Sequence, residues 1–177
     1  RLFRNELRLW NVPQRYALAV EATPPPRAAL LPHIWLSDEE IRQGQRLLEQ
    51  LPDKAGTPPI ALHPYATHPD KAWKEAYWRQ LMELFESCGI PWIVIGRGSG
   101  MEGIPASRNF TNRTSLRETC ALLKSSSLLI TGDSGPMHLA GAVGTPVLAL
   151  FGPTTEEWGF FPAGPKDRVL ESQLDCR

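Results

Sequence analysis

Cysteine is scarce in this chain: Cys88, Cys120 and Cys176 are three among 177 residues, an odd number without metal-ligand spacing. A disulfide-stapled secreted fold and a zinc module find no support, and a reduced, cytoplasmic setting is expected. No apolar run approaches the roughly 20 residues that cross a bilayer, and the opening residues lack a signal-peptide pattern. Neither sign of charge dominates. With 19 basic and 19 acidic side chains the net charge is zero, so a non-specific nucleic-acid surface has little support beyond local clusters. Internal repeats are absent, and no His/Cys/Asp/Glu grouping is spaced to hold a metal. What remains is a globular domain, with 42% hydrophobic residues to bury in its core.

Proline, by contrast, is plentiful, and it punctuates the chain. Residues 23–32 contain Pro24-Pro25-Pro26 and Pro32, which keep the backbone extended and mark a linker. The preceding residues 1–10 place Leu2, Phe3, Leu7, Leu9 and Trp10 as the apolar side of a short amphipathic helix with a basic face. Such a helix suits packing on a partner domain or peripheral contact with a membrane. Residues 1–34 are therefore expected to be an arm and linker, and residues 35–177 the main domain.

Past the linker, two periodicities alternate. Ser37 and Glu40 form a capping-box pattern for a helix that Pro52 ends, and Ser115 and Glu118 form another. A further helix spans residues 74–88, with Trp78, Leu81, Phe85 and Cys88 on one side. Between the helices lie four apolar strands at residues 60–62, 92–95, 128–130 and 147–151. This order predicts an α/β fold, a Rossmann-like parallel sheet with helices on both faces.

Ligand chemistry concentrates where strands run into helices. In Gly132-Asp133-Ser134-Gly135-Pro136, the third strand turns into a helix whose first-turn amides can hold a pyrophosphate. Alternatively, Asp133 or Ser134 simply caps that helix. The same four residues Gly132 to Gly135 also match the surroundings of a trypsin-like nucleophile. That fold is all-β and disulfide-bonded, however, and Pro136 breaks the G-x-S-x-G elbow of α/β-hydrolases. His138, in the first helical turn, is placed to donate to a phosphate or a sugar hydroxyl, unless it is merely structural.

The first strand empties into His63-Pro64-Tyr65-Ala66-Thr67-His68-Pro69-Asp70-Lys71-Ala72-Trp73. There Lys71 can neutralise a phosphate, Thr67 adds a hydroxyl, and Trp73 fixes the loop by packing. After the second strand, Gly96-Arg97-Gly98-Ser99-Gly100-Met101-Glu102 reads as a flexible loop in which Glu102 can accept from ribose hydroxyls. It lacks the Lys and the Ser or Thr of a Walker loop.

Three segments together resemble glycosyltransferase family 9, the ADP-heptose:lipopolysaccharide heptosyltransferases. They are the loop with Lys71 and Trp73, Phe110-Thr111-Asn112-Arg113-Thr114-Ser115-Leu116-Arg117-Glu118, and Asp133-Ser134-Gly135-Pro136-Met137-His138-Leu139-Ala140 with its downstream Phe151-Gly152-Pro153-Thr154. The resemblance implies one half of a GT-B enzyme, its carboxyl-terminal donor-binding domain. It places Thr67 and Lys71 on the donor's phosphates or sugar, Glu102 on its ribose, and Asp133, Ser134, Gly135 and His138 on its diphosphate and sugar.

The implied reaction moves heptose from ADP-heptose to the lipopolysaccharide inner core, with inversion and without an essential metal or other cofactor, on the cytoplasmic face of the inner membrane. The general base of the family is an Asp of the amino-terminal domain. With Arg1 in place of Met and the chain stopping at Arg177, the sequence reads as truncated at both ends, with no catalytic base of its own and inactive alone. Two other readings stay open: a non-catalytic nucleotide-binding module, and a GT-B-like nucleotide-sugar epimerase.

Overall fold

The structure is a computed structural model that describes residues 7–52 and 56–171. Cys176 and most of the expected amphipathic opening lie outside the described residues. Five strands, β1 (Ile60–His63), β2 (Trp92–Val94), β3 (Leu128–Gly132), β4 (Val147–Phe151) and β5 (Arg168–Glu171), form one parallel sheet in the order β2-β1-β3-β4-β5. The helices are α1 (Val12–Ala17), α2 (Asp38–Leu48), α3 (Glu75–Ser87), α4 (Leu116–Lys124) and α5 (Gly135–Val143). β5 is the strand that the apolar pattern does not announce. It is an edge strand whose Arg168, Leu170 and Glu171 are exposed, so its composition is free to be polar.

The sheet is covered on both faces because its strands alternate. Ala61, Ile93, Leu129, Val147 and Ala149 join Cys120, Leu123, Met137 and Ala140 from α4 and α5 in one core. Leu62, Trp92, Val94 and Ile130 point the other way and meet Trp78, Met82 and Phe85 of α3. Both serine caps form reciprocal boxes, Ser37 with Glu40 and Ser115 with Glu118. Cys88 is the C-cap of α3 and is exposed, so it is not part of that helix's buried side. Helix α2 packs on α4 through Gly44. A Cβ at that position would lie 2.7 Å from the carbonyl carbon of Ala121, so the two backbones approach as closely as only glycine permits.

The amino-terminal arm is tied to the sheet domain by main-chain recognition. Arg15 donates from Nε to the carbonyls of Leu7 and Trp10, at 2.9 and 2.8 Å, and from its terminal nitrogens to Glu157 (2.5 Å) and Trp158 (3.1 Å). The Val12 amide donates to the Gly159 carbonyl, Gln14 donates to the Pro25 carbonyl, and Arg27 pairs with Glu156 at 3.0 Å. Within the proline-rich stretch, residues Arg27–Leu30 form a short 3-10 turn.

The strand order fixes where a ligand can sit. The chain passes from β1 to β2 on one side, then returns to place β3 on the other side of β1. A crevice opens outside the carboxyl ends of two such strands. The register pairs His63 with Thr131 there, so both side chains emerge on the face that carries α5.

Candidate functional site

Lys71 and Asp133 meet at this switch point. The Lys71 ammonium donates to Asp133 Oδ2 at 2.5 Å, and the Thr154 hydroxyl donates to the same oxygen at 2.9 Å. Two strand-end segments thereby hold the carboxylate that follows β3, that after β1 through Lys71 and that after β4 through Thr154. Asp133 Oδ1 has no hydrogen-bond partner among the described residues. The carboxylate is nearly buried and the ammonium about 29% exposed, so the pair is shielded enough to matter and still reachable.

Ser134, the N-cap residue of α5, makes no side-chain hydrogen bond to that helix. Its hydroxyl lies instead 2.9 Å from Thr131 Oγ1 and 3.2 Å from His63 Nδ1. With Asp133 occupied by Lys71 and Thr154, neither of the two expected caps closes the helix start. Pro136 carries no amide hydrogen and the Met137 amide donates to the Ser134 carbonyl at 3.2 Å, so the Gly135 amide is the first-turn donor left for another acceptor, which favours an anion site over simple capping.

Beside this corner opens a cavity of about 450 Å³, lined by His63, Tyr65, Thr67, Arg97, Leu116 and Ser134 among others. Tyr65 crosses the His63 ring edge-to-face, with centroids 5.7 Å apart, and its hydroxyl is 2.7 Å from Thr111 Oγ1. Burial raises the Tyr65 pKa, so its phenol stays protonated. The glycine-rich loop on the far wall is less free than its composition suggests. Asn112 bonds both main-chain groups of Gly98, accepting from its amide at 3.2 Å and donating to its carbonyl at 2.8 Å.

Of the seven residues singled out in the sequence, Thr67, Ser134 and Gly135 line this cavity, and Lys71 and Asp133 pair beside it. His138 faces a second cavity of about 330 Å³, between α5, the arm and residues 159–164. Burial lowers its pKa while the charge of Asp133 works the other way. Glu102 lines neither cavity; its carbonyl accepts from Arg79 at 2.8 Å. Trp73 packs as expected, 5.0 Å from the Trp78 ring and 5.6 Å from that of Tyr77. His63, Tyr65, Thr131 and Thr154 carry no assigned role in the sequence reading. Strand register could have found the first and third, since both end apolar strands on the same side of the pleat. Among the described residues no cluster of three or more His, Cys, Asp or Glu could hold a metal ion, and no helix is long and apolar enough to cross a membrane.

Fold and site together define a Rossmann-like α/β half with an uncapped helix start and a fixed cation at its switch point. A profile of glycosyltransferase family 9 (heptosyltransferase) matches residues 9–177, and the chain belongs to that family. Lipooligosaccharide heptosyltransferase 2 of Haemophilus influenzae is 29% identical over 164 residues, which cover 82% of this chain and 47% of that protein. Lipopolysaccharide heptosyltransferase 1 of Pseudomonas aeruginosa is 34% identical over 139 residues, covering 72% and 38%. Among solved structures, the ADP-heptose lipopolysaccharide heptosyltransferase II of Escherichia coli superposes with a TM-score of 0.67 at 25% identity, over 83% of this chain and 46% of its own. A family 9 glycosyl transferase from Veillonella parvula shares the fold with a TM-score of 0.70 at 24% identity, over 79% and 42%. The chain spans less than half the length of each of these relatives.

Proposed function

We propose that this chain is the donor-binding half of a GT-B heptosyltransferase that transfers heptose from ADP-heptose to the lipopolysaccharide inner core. Residues 35–177 form the nucleotide-sugar domain, and residues 1–34 connect it to the acceptor-binding half. The single observation that carries this reading is the helix start of α5, left without a side-chain cap while Lys71 is held beside it by Asp133.

The chemistry follows from charge. The diphosphate sits at the α5 start on the Gly135 amide next to Lys71, with Ser134 at its edge and Thr67 offering a hydroxyl. A carboxylate repels phosphate oxygens, so Asp133 serves in two other ways. Its Oδ2 fixes the ammonium, and its free Oδ1 accepts from a sugar hydroxyl. The nucleoside fills the neighbouring cavity; Glu102 reaches its ribose from outside the cavity's own lining, and His138 meets the sugar from the side of the second cavity.

An acceptor hydroxyl, activated by a carboxylate of the other half, displaces the diphosphate with inversion. Lys71 and the α5 helix start stabilise charge that grows on the leaving group, which accelerates the step only insofar as they hold the departing ADP more tightly than the intact donor. No residue of this chain acts as the general base, so the chain alone binds donor without turnover. Metal ions play no part, and the complete enzyme works at the cytoplasmic face of the inner membrane, with which it associates peripherally.

Calorimetry tests this directly. ADP is expected to bind the 177-residue chain, UDP to bind more weakly, and Lys71→Ala to weaken ADP by about tenfold or more, the scale of one charge-assisted contact. Absence of ADP binding, or an affinity indifferent to Lys71→Ala, refutes the assignment.

A further inference from the structure

His63 is 6% exposed, lines the proposed nucleoside cavity, and belongs to a closed hydrogen-bond set whose protons can be counted. Thr131 Oγ1 lies 3.1 Å from the Gly132 carbonyl, 2.9 Å from Ser134 Oγ and 3.1 Å from His63 Nδ1. The carbonyl has no hydrogen to offer, so the single Thr131 proton goes to it. Ser134 then has one proton for two neighbours, Thr131 Oγ1 and His63 Nδ1. Were Nδ1 bare, Ser134 could serve only one of them, and the Thr131 contact with Nδ1 would bring lone pair against lone pair. With a proton on Nδ1, Ser134 donates to Thr131, the imidazole donates to both hydroxyls, and every contact holds a hydrogen.

Burial keeps the ring from taking a second proton at neutral pH. The other ring nitrogen, Nε2, has no hydrogen-bond partner among the described residues. It lies over Gly96, which also lines the cavity, and a Cβ on Gly96 would stand 2.4 Å from His63 Cδ2 and 2.7 Å from Nε2. Gly96 has φ +117°, so both backbone conformation and space reserve that position for a residue without a side chain.

We infer that His63 is a nucleoside-contacting specificity residue: its Nδ1–H is committed to Ser134 and Thr131, and its bare Nε2 accepts a hydrogen bond from a hydroxyl or amino group of the bound nucleoside. The same imidazole turns the Ser134 hydroxyl away from α5, so one side chain links nucleoside recognition to the open helix start. This inference rests on the donor-site reading above.

Two substitutions separate the two edges of the ring. In His63→Asn the amide nitrogen replaces Nδ1 and nothing replaces Nε2, whereas in His63→Gln the amide reaches the place of Nε2. ADP affinity is expected to fall about tenfold in His63→Asn, the effect of losing one hydrogen bond in a buried site, and to recover in part in His63→Gln. Wild-type discrimination against 2′-deoxy-ADP or inosine diphosphate, absent in His63→Asn, identifies the donating group as ribose hydroxyl or base amine. Nitrogen-15 NMR of the wild-type imidazole is expected to show the proton on Nδ1, a readout that needs no folded variant. A proton on Nε2, or ADP bound equally well by wild type and His63→Asn, overturns the inference while leaving the donor site intact. Failure of the wild-type chain to bind ADP overturns the donor site and this inference together.

Discussion

At the scale of single residues, His63 also makes stability depend on pH. Burial pushes its pKa from 6.5 down to about 4, so the unfolded chain takes up a proton that the folded chain refuses throughout that interval. The sign follows. Its contribution is complete above pH 6.5 and is lost as the pH falls toward 4, on the order of 3 kcal/mol in total and about 2 kcal/mol of it between pH 7 and pH 5. His138, lowered chiefly by its own burial, acts in the same direction. Urea unfolding at those two pH values is expected to show the decline, and His63→Asn to flatten most of it.

Lys71, Asp133 and Ser134 were legible in the sequence because polar residues that end apolar strands converge on one edge of a parallel sheet. The partners that shape them were not. Thr131 meets His63 only through the register of β1 on β3, and Thr154 reaches Asp133 only once β4 lies beside β3. Such pairings are set by tertiary placement, to which single-residue patterns are blind. Glu102 shows the reverse: a suitable side chain in a suitable loop, whose observed contact is made by its carbonyl.

At the scale of elements, local rules carried the helices and most strands. The two S-x-x-E boxes form, and the apolar runs become β1 to β4. β5 was invisible because an edge strand need not be apolar, and the close packing of α2 on α4 was invisible because a lone helical glycine reads as a weakness. The Gly44–Ala121 contact decides between two opposing effects. Alanine would raise helix propensity by about 1 kcal/mol, yet its methyl would collide with the Ala121 backbone at 2.7 Å, and overpacking of that kind costs about 1–3 kcal/mol. Gly44→Ala is therefore expected to lower the midpoint of thermal unfolding, measured by circular dichroism, despite improving the helix that contains it.

At the scale of the whole molecule, α1 is held by four donations from one guanidinium. Two stay within the arm, on the carbonyls of Leu7 and Trp10, and two reach across 142 and 143 residues of sequence to the carbonyls of Glu157 and Trp158. No periodicity foretells that contact, since its acceptors are main-chain atoms. Arg15→Ala is expected to release the arm and leave the sheet domain folded. Limited proteolysis should then cut within residues 7–35 several-fold faster than in wild type, with little change in the thermal midpoint.

That guanidinium grips a loop only three residues beyond Thr154, whose hydroxyl rests on the carboxylate that steadies Lys71. From Arg15 to the ammonium the contacts run in series, through the 154–157 loop and the Asp133 carboxylate. Anchoring of the arm and placement of the ammonium therefore share one stretch of chain, so Arg15→Ala is expected to loosen Thr154 on Asp133 as well as the arm.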